Sequence, residues 1–265
     1  MSKLLIVATV LILLVIAVEG GYFWGMKTSS QPKPFNGQVI PKNNIPTDVI
    51  QPTQPPQQDI NTKNIISQKT LELTKVLKEG VQKLTVGDIK AATQDLIKAG
   101  TLRSEIDRLN FKSVYENYYT ALLPIPELTD FPNDGKFKAE YTAELKQLDF
   151  NSFNSLINAN NNDLAKAFYR LGLMAFQNNH QELVTPLWTA MVNLSPEWSH
   201  FQLELANYYL AIGNIQEAKN SIDYCGKFNF PNEICDSFLQ NEIQNNQPQP
   251  VGFLKDKIQT EVVNN

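Results

Sequence analysis

The chain has 265 residues, 42% hydrophobic and 19% charged, with a net charge of −4. That length suffices for one sizeable folded domain with accessories. With no Lys/Arg cluster to pair with phosphates, the mild acidity excludes a nucleic-acid-binding surface. Two cysteines and two histidines leave little room for metal or thiol chemistry.

Residues 4–18 form a fifteen-residue run, apolar except for Thr9, directly after Met-Ser-Lys. Glu19, two glycines and then Tyr22, Phe23 and Trp24 follow. Residues 4–26 are long enough to span a bilayer, with Glu19 near an interface and the three aromatics at headgroup level. A cleaved signal peptide fits the same run, although Val18-Glu19-Gly20 is a poor cleavage site. No cysteine follows the run closely, which excludes a lipoprotein. The expectation is an anchor over residues 1–27, a single pass, and a folded part outside the cytoplasm; secretion after cleavage is the alternative. Residues 28–60 hold seven prolines among Gln and Asn, too little apolar surface to offset ordering. They read as a disordered spacer that reaches up to ~100 Å when stretched.

Residues 61–160 read as an N-terminal helical region. Ile65, Ile66, Leu71, Leu73, Val76 and Leu77 mark a first helix, closed by Gly80. Asp88 caps a second, carrying Ile89, Ala92, Leu96 and Ile97, which stops at Gly100. A third spans 104–123 through Ile106, Leu109, Val114, Tyr118 and Leu122, ended by Pro124 and Pro126. A loop with the turn signal Asn133-Asp134-Gly135 leads to short helices over 137–147 and 150–158. Whether degenerate repeats lie here is left open. No alternating run is long enough for a strand, so the fold class is all-α.

Residues 164–231 carry two copies of one helix–turn–helix pattern. At an offset of 34, Leu171 meets Leu205, Gly172 meets Ala206, Ala175 meets Tyr209, Asn179 meets Gly213, Val184 meets Ala218 and Trp188 meets Ile222. Pro196 and Pro231 miss that register by one. Gly172 and Ala206 are small where two helices cross closely, and Asn179 and Gly213 suit a left-handed helix terminus. A fixed period of this length built from two helices marks a solenoid unit. The pattern resembles the tetratricopeptide repeat over about a quarter of the chain. That resemblance implies antiparallel helix pairs, a short right-handed solenoid over 161–247 with a capping helix, and a protein-binding scaffold. It further implies that the inner wall comes from the first helix of each pair. Carried over, that wall is Lys166, Tyr169, Arg170, Leu173 and Phe176, then His200, Leu203, Asn207 and Leu210. Lys166 and Arg170 resemble half of the family's carboxylate clamp, but the earlier repeats that would complete it are missing. A mainly structural Arg170 is the competing reading.

In the repeat pattern Cys225 takes a small-residue position facing the next helix, and Cys235 lies just past the Pro231 turn. An antiparallel pair brings such Cα atoms within ~5–6 Å, and outside the cytoplasm they oxidise to a disulfide. Two reduced core residues are the alternative. Residues 232–245 read as the capping helix through Ile234, Phe238 and Ile243, broken by Pro248 and Pro250. Over the tail, 248–265, Leu254, Ile258 and Val262 outline a short helix that either docks or stays unfolded.

Neither His180 nor His200 has partners at zinc-ligand spacing, and no phosphate loop or nucleophile elbow is present. No cofactor, metal, small-molecule substrate or enzymatic activity is expected. The glycosylation sequon Asn193-Leu194-Ser195 ends a packed helix before Pro196 and reads as a chance match. The leading expectation is a membrane-anchored extracytoplasmic scaffold that binds a protein or peptide in the repeat groove. A structural envelope subunit with a permanently occupied groove is the alternative, and an envelope enzyme a remote one. A groove already filled by the chain's own tail favours the structural alternative.

Overall fold

The computed structural model describes residues 60–111, 121–148, 161–228 and 233–260. The proposed anchor, the spacer up to residue 59, the helical stretches predicted for 112–120 and 150–158, the Pro231 turn and Val262 lie outside the described residues. Among the described residues the protein is all-helical, and no helix is long and apolar enough to cross a membrane.

The helices are α1 (Ile60–Thr85), α2 (Ile89–Phe111), α3 (Gly135–Gln147), α4 (Asn161–Gln177), α5 (Gln181–Leu194), α6 (Ser199–Ala211), α7 (Ile215–Phe228), α8 (Glu233–Phe238) and α9 (Lys255–Thr260). A π-helical turn, Leu239–Ile243, continues α8. Three hairpins dominate the packing: α1 with α2, α4 with α5, and α6 with α7. The first hairpin joins the second through α2 on α5, and the second joins the third through α5 on α6.

Two of the predicted helix ends in the first hairpin are corrected. Gly80 does not close α1, which runs on to Thr85, and Gly100 lies within α2. Both glycines answer to packing. Gly80 is buried, and a Cβ on Gly100 would come 2.9 Å from the Phe168 ring. The true stop is Gly87, at φ +81, a conformation that costs glycine little. Asp88 then caps α2, accepting from Ala91 N–H at 3.1 Å. The third predicted helix starts too late, because α2 already covers 104–111, and residues 121–134 form a strap without regular secondary structure. Asp134 caps α3 by accepting from the N–H groups of Lys136 and Phe137.

The period of 34 reappears in the helix termini. Asn179 (φ +64) and Gly213 (φ +78) both end a first helix in the left-handed region. His180 N–H donates to Ala175 and Asn179 N–H to Phe176; Asn214 N–H donates to Tyr209 and Gly213 N–H to Leu210, the same two bonds 34 residues on. These bonds satisfy carbonyls that the helix end leaves without partners. The second helices, α5 and α7, begin and end in the same register.

Candidate partner-binding groove

Gly172 of α4 makes room for the Trp188 side chain of α5: a Cβ there would lie 2.2 Å from Trp188 Nε1. With that space free, Trp188 Nε1–H reaches over to donate to Tyr169 O at 3.1 Å. The indole stacks on the Tyr169 ring, centroids 5.5 Å apart, and meets Tyr208 edge-on at 5.7 Å. This buried aromatic group links α4 to α6 through α5, and Tyr169 belongs to the face expected as the inner wall.

That face is not open. Residues 247–254 lie along it, irregular to Pro250 and then in a turn, leading into α9. Asn207 holds both main-chain groups of Gln249, donating from Nδ2 to its carbonyl at 3.0 Å and accepting its N–H at Oδ1 at 2.8 Å. The Glu204 carboxyl accepts from Gly252 N–H at 3.1 Å and from Leu254 N–H at 2.6 Å. Gly252, at φ +90, passes so near the α4 wall that a Cβ would stand 3.0 Å from Leu173 Cδ1. Leu254 and Ile258 are buried behind it. Of the two fates expected for the tail, docking is the one observed up to Thr260.

Glu204 is fully buried. Burial pushes its carboxyl up to about 7, although the Leu254 and Gly252 N–H groups and the neighbouring Tyr169 hydroxyl favour the charged form. Burial and the Glu204 charge together raise the Tyr169 hydroxyl.

The residues expected to form the inner wall separate into groups. Tyr169, Leu173 and Asn207 do lie together, but against the chain's own segment. Leu203 and Leu210 are buried, so this stripe does not face solvent as a free wall. Arg170 is taken by α3, its Nε 2.7 Å from Glu144 Oε1, which agrees with a structural role rather than half of a clamp. Lys166 and His200 both meet Trp198, the ammonium 5.3 Å from the ring centroid and the imidazole edge-on at 6.2 Å. Phe176 packs edge-on against Tyr208. Sequence reasoning missed Glu204, Gln249 and Gly252. A signal for the first was present: Glu204 is a carboxylate between Leu203 and Leu205 in an otherwise apolar helix.

Cys225 and Cys235 are joined as a disulfide with Cα atoms 6.2 Å apart, tying α7 to α8. Asn193 of the sequon is buried and spends its amide on the strap, accepting from Leu123 N–H and donating to Leu123 O, both at 2.9 Å. A glycan on it is incompatible with this fold. His180 lies against Phe137, with carboxylate oxygens of Glu182 and Asp134 at 3.6 and 3.9 Å. No group of three or more metal-ligating side chains occurs among the described residues.

No protein-family model, curated protein or solved structure matches this chain.

Proposed function

We propose that the protein is a non-enzymatic scaffold of the cell envelope, anchored by residues 4–26, with its folded part outside the cytoplasm. Its helix pairs resemble tetratricopeptide repeats, and its role is that of a structural subunit whose groove is closed by its own C-terminal segment. The observation that carries this reading is the double grip of Asn207 on Gln249 and of Glu204 on Gly252 and Leu254. Recurrence of the same capping bonds after 34 residues supports the repeat resemblance. With the groove taken, contacts to other envelope proteins fall to outward positions such as Leu71 on α1, which is 68% exposed.

The adaptor reading, a groove that receives a foreign peptide, has one observation in its favour. All four of these bonds engage main-chain groups of the segment, so they do not depend on its side chains.

A photo-crosslinking amino acid placed separately at Leu71 and Leu203 of the full chain, in its own membrane, tests the proposal. Adducts with other proteins from Leu71, and only adducts within the chain from Leu203, are the expected pair. A foreign protein caught from Leu203 would favour the adaptor reading. Failure of both positions to reach any other protein would remove the scaffold role.

A further inference from the structure

We propose that the groove can be served in trans: the C-terminal segment of one copy seats in the groove of another, and the protein pairs by exchanging tails. The inference rests on the self-closed groove and on no particular envelope partner.

The groove has definite requirements. It needs the carbonyl and N–H of Gln249 for Asn207, and two N–H groups, at Gly252 and Leu254, for the Glu204 carboxyl. It needs no Cβ at 252, where the backbone is at φ +90 and Leu173 is close. Two apolar side chains, Leu254 and Ile258, complete the fit. Every copy carries a segment that meets all of these, and the contacts are the same whether that segment arrives from its own chain or from a neighbour. What differs is the connection. Residues 244–250 are exposed, and Asn246 ends the π-helical turn at φ +52, a left-handed cap that asparagine tolerates, its N–H donating to Ile243 O. Opening that turn frees the segment without disturbing a helix pair, which is how domain swapping produces dimers at low cost. In the closed form a short tether gives the tail an effective concentration of about millimolar, so dilute protein stays monomeric. Exchange prevails where copies are crowded or where the tether cannot reach.

Deleting residues 245–247 from the full chain removes up to ~10 Å of reach and leaves intact the groove and the contacting residues from Gln249 to Ile258. The expected result is a doubled mass in solution, returning to a single copy when Gly252→Val is added. A folded, monomeric deletion protein would overturn the proposal. A second arm covers a deletion that fails to fold. A labelled synthetic peptide of residues 247–260 is titrated into the full chain carrying Gly252→Val, whose own tail no longer fits. Saturable binding is expected, at least ~10-fold tighter than to the unaltered chain, where the tethered tail competes. No binding by a variant that keeps its melting transition would also overturn it, while leaving the self-closed groove standing.

Discussion

Asn207 and Gln249 stand 42 residues apart and are joined by two hydrogen bonds, one to each main-chain group of Gln249. Asn193 and Leu123, 70 residues apart, are joined in the same way. Two irregular segments are thus fastened to α5 and α6 by one chemical device, since an amide side chain presents both a donor and an acceptor to the main chain of one residue. A buried asparagine between helices serves here as a fastener for irregular chain, which leaves few main-chain groups unsatisfied.

Asn207→Ala removes both partners of Gln249, and because residue 249 is exposed, water replaces part of what is lost, so the expected cost is ~0.5–1.5 kcal/mol per bond. Urea unfolding of the variant measures it. Asn193→Ala is expected to fall in the same range; a cost near zero for both would mean that the straps contribute nothing.

Gly172→Ala places a methyl group where Trp188 Nε1 already stands. Overpacking of this kind costs ~1–3 kcal/mol or more, and here it also breaks the bond from Trp188 to Tyr169 O. Gly213→Ala is the control: nothing lies within 4 Å of its Cβ position, so only the left-handed backbone at φ +78 opposes it. That cost is about 1–2 kcal/mol. Thermal melts of the pair should show the Gly172 variant losing more, together with a change in tryptophan fluorescence.

The Glu204 carboxyl is raised from 4.5 to about 7 in the folded chain. The folded state therefore binds more protons than the unfolded one between these values. This group's contribution is fully present below about pH 4.5, is lost as pH rises to about 7, and changes no further above that. Its size is on the order of 3 kcal/mol at most. Glu204→Gln should flatten that part of the stability–pH curve. An unaltered slope between pH 4.5 and 7 in the variant would assign the dependence to other groups.

Reduction of the Cys225–Cys235 bridge is expected to lower stability by ~2–3 kcal/mol, as for a short loop. The bridge leaves no thiol to react, so alkylation should be absent in unreduced protein even after unfolding in urea. A non-reduced digest analysed by mass spectrometry should contain the linked peptides; free thiols in freshly isolated protein would contradict the bridge.

The local part of the fold was legible in the sequence. Asp88, Asp134, Asn179 and Gly213 act at helix ends as their chemistry suggests, because capping involves only neighbours in the chain. Gly80 and Gly100 misled for a physical reason. A glycine can mark a helix end or a close approach of another element, and Phe168, which Gly100 accommodates, is 68 residues away. The groove was half legible. Spacing put Tyr169, Leu173 and Asn207 on one stripe, but stripe geometry does not say what covers it. The cover is held by bonds from residues 42 to 50 positions earlier, and residues 247–254 carry no periodic pattern that would announce them. Arg170 was ambiguous because its partner, Glu144, belongs to a helix outside the repeats.

The central claim, that the C-terminal segment closes the groove, is tested most directly by hydrogen exchange at the Gly252 and Leu254 amides of the unaltered full chain. Both donate to the buried Glu204 carboxyl, so they are predicted to exchange far more slowly than the same residues in the free peptide 247–260. Exchange at the free-peptide rate, with α6 still protected, would contradict the account.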